Sequence, residues 1–452
     1  MSAASDLRNA GASRVLEPHD DGYTDAIAGF DLGVACAPDV VIDAQTPSDA
    51  ARTVAVTAER GEQLSILGSG HGRLAPIHGG TAISLRSFTQ VEVDAPNQTA
   101  RIGAGCTWDP VLAAATPHSL APLCGSAPGV GVVGYLLGGG LGPLQSTFGF
   151  SSDYVRSFEV ATPADGAITV ATDSHPDLFT AMRGGKGGFG VVTAVTIELL
   201  ELTAVYGGGL YFAAMDAPAL LQAYSEWAPN LPGTATTSLA LLHLPSSDAL
   251  PATIRGQHVA HVRFASTDTR DDAEAALATI RSVAAPLLDT IDVLPYARLG
   301  TIHGDPTAPM PVANGGITLS KLGGDTVAAL LSAADLTGDQ PLSSVEIRTL
   351  GPAARRPPQS ADAVGGRSAA HLLNVYAAPV PSLSDDDRLA AARSVIDAVE
   401  RWHAPVNLVN FVGRANSDDA IIHSWTAEQN AQLNAVRAQH DPDGLFPFAD
   451  HG

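Results

Sequence analysis

The residues best placed to do chemistry lie in one short stretch, from Leu64 to Arg73, reading Leu-Ser-Ile-Leu-Gly-Ser-Gly-His-Gly-Arg. Gly68, Gly70 and Gly72 frame Ser69 and His71. Glycines let the backbone turn through positive φ and bring several N–H groups against phosphate oxygens with no Cβ in the way. One reading is therefore an anion cradle that sets an imidazole beside a reactive ring. The other is a glycine-rich surface turn with an incidental histidine. A second region, from Cys124 to Gly142, holds eight glycines: Gly125, Gly129, Gly131, Gly134, Gly138, Gly139, Gly140 and Gly142. Each glycine inside a regular element costs about 0.5–1 kcal/mol relative to alanine. Such density suits a backbone packed closely against a flat ligand. A third run, Arg183 to Gly190, contains Gly185-Lys186 but no Ser or Thr after the lysine, so it does not complete a nucleoside-triphosphate loop. No region shows the strand, G-x-G-x-x-G and helix order of a nicotinamide-binding unit in convincing context.

These loops need elements to hold them. Residues 40–42 read as a buried strand, and Thr46-Pro47-Ser48-Asp49 leads into a helix over 50–60 that Gly61 closes. The strand 64–67 follows, so a small β-α-β unit delivers the His71 loop. Strands are expected at 81–85, 91–94 and 99–102, and a helix at 108–116. A hairpin joins 158–161 to 168–171 across Pro163-Ala164-Asp165-Gly166. A short helix at 176–182 precedes an apolar strand at 191–200, while the first forty residues predict little regular structure. Beyond Glu201 the pattern becomes strands at 207–212, 237–244, 259–264, 317–319, 345–350 and 372–376, with helices at 217–227, 271–283 and 325–334. That is an antiparallel sheet with helices on one face, a separate α+β domain. The stretch 351–366 reads as a long loop, followed by a helix at 385–402, a strand at 406–412 and a helix at 427–439.

At 452 residues the chain exceeds what one hydrophobic core usually supports, so two domains are expected. A net charge of −22 argues against nucleic acid or an anionic membrane as partner, because phosphate would be repelled over most of the surface. Any phosphate must be gripped by backbone and glycine. No apolar run approaches the ~20 residues of a membrane helix, and Met-Ser-Ala-Ala-Ser-Asp lacks the pattern of a secretion signal. Cys36, Cys106 and Cys124 form an odd set without metal-ligand spacing, so neither a bound metal nor a disulfide framework is expected. A reducing cytoplasm fits this composition best.

Taken in order, Gly68-Ser69-Gly70-His71, the glycines from Gly129 to Gly142, Phe148-Gly149-Phe150-Ser151-Ser152-Asp153, the run from Asp177 to Gly185, Phe189-Gly190-Val191-Val192-Thr193 and Asp441-Pro442-Asp443-Gly444-Leu445-Phe446 carry a resemblance. The chain resembles the berberine bridge enzyme-like branch of the vanillyl-alcohol oxidase superfamily, flavoproteins with a PCMH-type FAD-binding domain, over residues 14–448. The resemblance implies an α+β fold with a two-part FAD domain at 1–203, its small βαβ part running to about 93. It also implies an antiparallel-sheet substrate domain at 204–405 and a C-terminal segment, 406–452, that returns to the FAD domain. FAD contacts would come from Gly68, Ser69, Gly70, Gly72, Gly129, Val130, Gly131, Gly134, Gly138, Gly139, Asp153, Gly190, Val192 and Asn410.

His71 stands where the family attaches the flavin. A neutral imidazole nitrogen can add at the 8α-methyl position, and the resulting substituent raises the reduction potential. His78 lacks the glycine frame and reads as structural or exposed. Where many relatives carry a second attachment cysteine this chain has Ala127, and Cys124 lies three residues earlier, about 10 Å of extended chain away. Single attachment through His71 is expected, with Cys124 a packed thiol near the flavin, and a second linkage through Cys124 is the alternative. Val130 falls at the family's oxygen gate, which favours an oxidase. Glu346 and Arg348 match the strand over the flavin and would orient a polar substrate, or else form a cross-strand ion pair. Leu408 replaces the tyrosine base of many relatives. Asn410 would hydrogen-bond near the ring or satisfy buried backbone, and Tyr376 and His371 are the alternative acid/base groups.

The implied activity is an FAD-dependent oxidase that takes hydride from an aromatic or polycyclic, natural-product-type alcohol, hydroquinone or reduced ring, with O2 as acceptor, in a tailoring or resistance role. The implied partners are that small molecule and O2, with the chain a monomer or homodimer. The alternatives are a carbohydrate oxidase, whose sign would be a stacked tryptophan groove, and a non-catalytic flavin-retaining protein that sequesters an aromatic compound.

Overall fold

A capping box starts the first long helix of the computed structural model, which describes residues 2–335, 341–380 and 382–448. Thr46 Oγ1 accepts from the Asp49 N–H and the Asp49 carboxylate accepts from the Thr46 N–H, with Pro47 in the first turn. The helix therefore runs Pro47–Glu59, beginning before the run of helix formers at 50. It crosses over a four-stranded sheet in the order Val15–Leu16, Val40–Asp43, Thr81–Ser84, Leu64–Leu67, the last three parallel. Val40–Asp43 and Thr81–Ser84 are buried throughout, as their apolar runs require of central parallel strands. The Leu64 N–H donates to the Leu445 carbonyl at 2.8 Å, so the C-terminal tail closes on the strand that delivers His71.

The second sheet is antiparallel and ordered Gly166–Ala171, Val155–Thr162, Val191–Leu200, Thr99–Gly103, Val91–Asp94, with Ala121–Pro122 on the far end of Val191–Leu200. Val91–Asp94 belongs here because the turn between it and Thr99–Gly103 makes them a hairpin. The small βαβ part consequently ends its last strand at Ser84 and not near 93. The helix Ala3–Asn9, capped by Ser2 and burying Ala4 and Leu7, lies in the region where the sequence predicted no regular structure.

The third sheet runs Leu288–Asp289, Ala204–Ala213, His258–Ser266, Ala235–His243, Leu342–Thr349, His371–Ala377, Ala313–Leu319, with Asp292–Pro295 also paired to Ala204–Ala213. Side chains alternate between its faces, and the register makes that alternation coherent across the sheet. Leu210, Val262, Leu239, Ile347, Leu373 and Ile317 form one continuous rung. They pack with Leu220, Tyr224, Leu277, Leu330 and Val395 from the helices Ala217–Trp227, Arg270–Arg281, Gly324–Ala334 and Asp385–Val399. Each such buried side chain contributes about 1.5–3 kcal/mol. The neighbouring rungs carry Arg263, Ser238 and Arg348, then His261, Glu346 and Asn374, on the opposite face.

The segment expected as a strand at 406–412 is irregular, with a single 3-10 turn at Val409–Phe411. It follows the edge strand Ala313–Leu319, but side chains replace the ladder. Asn416 accepts from the Gly316 N–H at 3.0 Å and donates to the Gly316 carbonyl at 2.8 Å, and Asn407 Oδ1 accepts from the Thr318 N–H at 3.3 Å. Side chains thus meet both groups of Gly316 and the Thr318 N–H, while the Thr318 carbonyl accepts from the Ala404 N–H at 2.9 Å.

Candidate functional site

Strand Leu64–Leu67 ends in the His71 loop, and a second segment covers it. The Phe30 N–H donates to the Ser69 carbonyl at 3.0 Å and the Asp31 N–H to the Gly70 carbonyl at 3.3 Å. Gly70 has φ of +75°, and a Cβ there would stand 2.7 Å from Gly29 Cα, so conformation and space both demand glycine. The Phe30 ring stacks on the His71 imidazole with centroids 4.0 Å apart and planes 14° apart. Burial pushes the His71 pKa down to about 4, leaving the ring neutral at ordinary pH. His71 Nδ1 lies 3.2 Å from Ser69 Oγ, which also accepts from the Gly131 N–H at 3.1 Å. One hydroxyl thus ties the first glycine loop to the second.

The second region forms the short helix Val132–Leu137 and then turns through Gly138, Gly139 and Gly140. A Cβ on Gly138 would overlap the side-chain amide of Asn410. That amide is fixed: Nδ2 donates to the Tyr135 carbonyl at 2.8 Å, and Oδ1 accepts from Lys186 Nζ at 2.6 Å. Lys186 Nζ also donates to the Gly134 carbonyl at 3.2 Å, and burial lowers its pKa to about 8. We expect Gly138→Ala to cost about 1–3 kcal/mol through overpacking, read as a lowered urea midpoint. An unchanged midpoint would mean that Asn410 does not fill this approach.

The loops leave room on one side. Cβ atoms added at Gly68, Gly72, Gly129 or Gly134 would meet nothing within 4 Å. Open backbone beside a neutral imidazole is the arrangement a flat, phosphate-bearing cofactor such as FAD requires, so the residues present fit that group. Val130 is half-buried at the start of this region, its carbonyl accepting from the Trp108 N–H at 3.3 Å.

Other expected contacts take different positions. Cys124 is buried in the first core with Sγ 4.0 Å from the Tyr296 hydroxyl, and burial pushes its thiol up to about 12. It is a packed thiol, held protonated at ordinary pH. Asp153 accepts from the Phe150 N–H at 3.2 Å and from Arg367 at 2.7 Å, so it pins the end of the 351–366 loop. That loop is not wholly irregular: Pro352–Arg355 is a helical turn. Gly190, at φ of +139°, and buried Val192 start strand Val191–Leu200 against Ala161 and Val160. His371 is 3% exposed with Nδ1 3.1 Å from Thr349 Oγ1, and burial lowers its pKa to about 4. Tyr376, on the same strand, is 38% exposed. Leu408 is buried against Leu141 and Phe150.

Glu346 and Arg348 do meet, and they meet in company that the sequence did not single out. Glu346 Oε1 accepts from Arg263 at 2.6 Å and Ser238 Oγ at 2.7 Å, with His303 Nε2 at 3.5 Å, and Oε2 accepts from Arg348 at 2.9 Å. Burial would raise the Glu346 pKa, but the Arg348 and Arg263 guanidiniums outweigh it and hold the carboxyl well below the usual range. Arg348 also lies over the Phe411 ring at 5.3 Å, which joins the sheet to the Asn410 segment. The available signal for Arg263 was the alternation His261-Val262-Arg263 in a strand that otherwise reads apolar.

An FAD-binding domain model matches residues 38–172, which span both glycine loops. Among characterised proteins, the chain is 31% identical over 210 residues to the FAD-dependent monooxygenase FUP4 of Fusarium proliferatum, covering 45% of this chain and 41% of that one. It is 28% identical over 304 residues to the (R)-6-hydroxynicotine oxidase of Paenarthrobacter nicotinovorans, covering 64% and 63%. The matches therefore span less than two thirds of these relatives' own lengths. Among solved structures, the wild-type BBE-like 1 protein of Physcomitrella patens superposes with a TM-score of 0.85 at 17% identity, covering 100% of this chain and 98% of that one.

Proposed function

From the premise that this chain carries an FAD-binding domain within a berberine bridge enzyme-like fold, we propose that it is an FAD-dependent oxidoreductase acting on an aromatic or polycyclic small molecule with O2 as acceptor. The observation that carries this reading is the junction of the two glycine loops through Ser69 Oγ, with a neutral His71 beside them. Bound FAD would supply the hydride acceptor and pass the electrons to oxygen. The chain's own residues hold and surround it. Gly68, Gly72, Gly129 and Gly134 offer open backbone, and His71 offers the covalent attachment. The polar face of the third sheet, with Arg348 and Tyr376, faces the substrate. A carbohydrate substrate is the alternative reading; the tryptophan groove that would mark it is not among the exposed residues, since Trp108, Trp227, Trp402 and Trp425 are all buried.

The purified protein should be yellow, and a panel of aromatic and sugar substrates should give peroxide with the aromatic set. Anaerobic addition of an active compound should bleach the flavin band. A flavin spectrum unchanged by every member of the panel would instead support sequestration without turnover.

Attachment has its own pH signature. The His71 pKa is lowered to about 4, so the nucleophilic neutral ring predominates above that value and is lost only as pH falls through it. Apoprotein mixed with FAD should become acid-stably labelled at a rate that is level from pH 5 to 8, a range chosen to span the ordinary histidine pKa of about 6.5. A rate that fell tenfold between pH 7 and 5 would place an ordinary, exposed imidazole at the site.

A further inference from the structure

Between the third sheet and the second glycine region lies a cavity of about 20 Å3, room for about one water-sized group. Arg263, His303, Arg348 and Ser238 line it on the sheet side, and Leu141 and Gln145 face them. The lining carries two guanidinium groups and no carboxylate, since Glu346 lies behind it.

Glu346 cannot satisfy all these donors. Its two oxygens already take Arg263, Ser238 and Arg348 at 2.6–2.9 Å, and His303 stands at 3.5 Å. Arg263 Nε and His303 Nδ1 remain without a hydrogen-bond partner, on residues only 5% and 9% exposed. Buried polar groups are nearly always paired, so the leftover Arg263 N–H beside the cavity calls for an acceptor from outside the chain, whereas the neutral His303 ring, its N–H at Nε2 toward Glu346, leaves Nδ1 an acceptor. Two buried guanidiniums against one carboxylate call for that acceptor to be negative.

We propose that this cavity is the recognition site for a carboxylate group on the substrate. Its room for one water-sized group seats one carboxylate oxygen, and the rest of the molecule extends out toward the glycine region. The net charge of −22 does not contradict this, because exposed charges are screened beyond a Debye length of about 8 Å, so they slow the encounter more than they weaken the buried contact. The proposal rests on the flavoenzyme reading only in calling the ligand a substrate.

Calorimetric titration of the protein as purified with benzoate and with benzamide, its neutral counterpart, tests the site without turnover. Benzoate is expected to bind at least tenfold more tightly. Arg348→Met should abolish that preference, whereas Glu346→Gln, which frees both guanidiniums, should tighten benzoate binding severalfold. A purely structural ion cluster would not produce these opposite signs. Equal binding of benzoate and benzamide by the wild-type chain overturns the proposal even if either variant fails to fold. A colourless protein that still prefers benzoate would sink the flavoenzyme reading and leave the site standing. A yellow, peroxide-forming protein with no preference would do the reverse.

Discussion

His71→Ala should convert every flavin in the preparation from acid-stable to acid-released. Wild-type protein precipitated with acid is expected to keep its colour in the pellet, and the variant to leave all of it in the supernatant. The expectation follows from what else lies near the glycine loops. Ala127 offers no nucleophile, and the Cys124 thiol is buried in the core with its pKa pushed up to about 12. Lys186 is the other group with a perturbed amine, but its Nζ is held by Asn410 Oδ1 at 2.6 Å and the Gly134 carbonyl at 3.2 Å. His71 is only half-buried, so the fold should survive its loss with a change of about 1 kcal/mol. A pellet that stayed yellow in the variant would move the attachment elsewhere, and mass spectrometry of the flavin-bearing peptide would name the residue.

What could be read from the chain was whatever its local pattern determines. The helix over 217–227 is recovered as Ala217–Trp227 because its first-turn Pro218 and its apolar spacing are local. Six of the eight strands of the third sheet are recovered within four residues because alternation is local too, while Leu288–Asp289 and Asp292–Pro295 were not predicted. The His71 loop could be located because strand, glycines and histidine are contiguous. Phe30 could not, since its meaning depends on Ser69 and Gly70, some forty residues on, and on Met310, whose N–H donates to the Phe30 carbonyl at 2.9 Å. Arg263 and His303 were hidden for the same reason. Only the register, which sets Arg263 opposite Ser238 and Ser238 opposite Arg348, brings them to Glu346. The edge segment 406–412 misled because its apolar residues are buried as a strand's would be, while Asn407 and Asn416 carry out the pairing with side chains.

The buried cluster also yields the largest expected stability change. Arg263→Met should lower the unfolding free energy by about 3–5 kcal/mol at pH 7, because it takes one of two guanidinium partners from the buried Glu346 carboxylate. The side chains concerned are 6% and 4% exposed, so solvent screening offers little relief. Adding Glu346→Gln to this variant should not restore the loss, since the Arg348 guanidinium, which Glu346 Oε2 holds at 2.9 Å, would then face a neutral amide. The pH dependence has a definite sign. The folded Glu346 pKa lies well below its ordinary 4.5, so the stabilisation from its ionised form is complete above that value and is lost as pH falls through the folded pKa. In Arg263→Met the carboxyl loses part of what held it down, and protonation becomes an escape. The gap between wild type and variant should therefore stay level from pH 7 to about 5 and narrow as pH falls below the ordinary value of 4.5. Urea midpoints measured above and below that value decide it. A gap that stayed constant or widened in acid would show that Arg263 acts through packing, with Glu346 held by Arg348 alone.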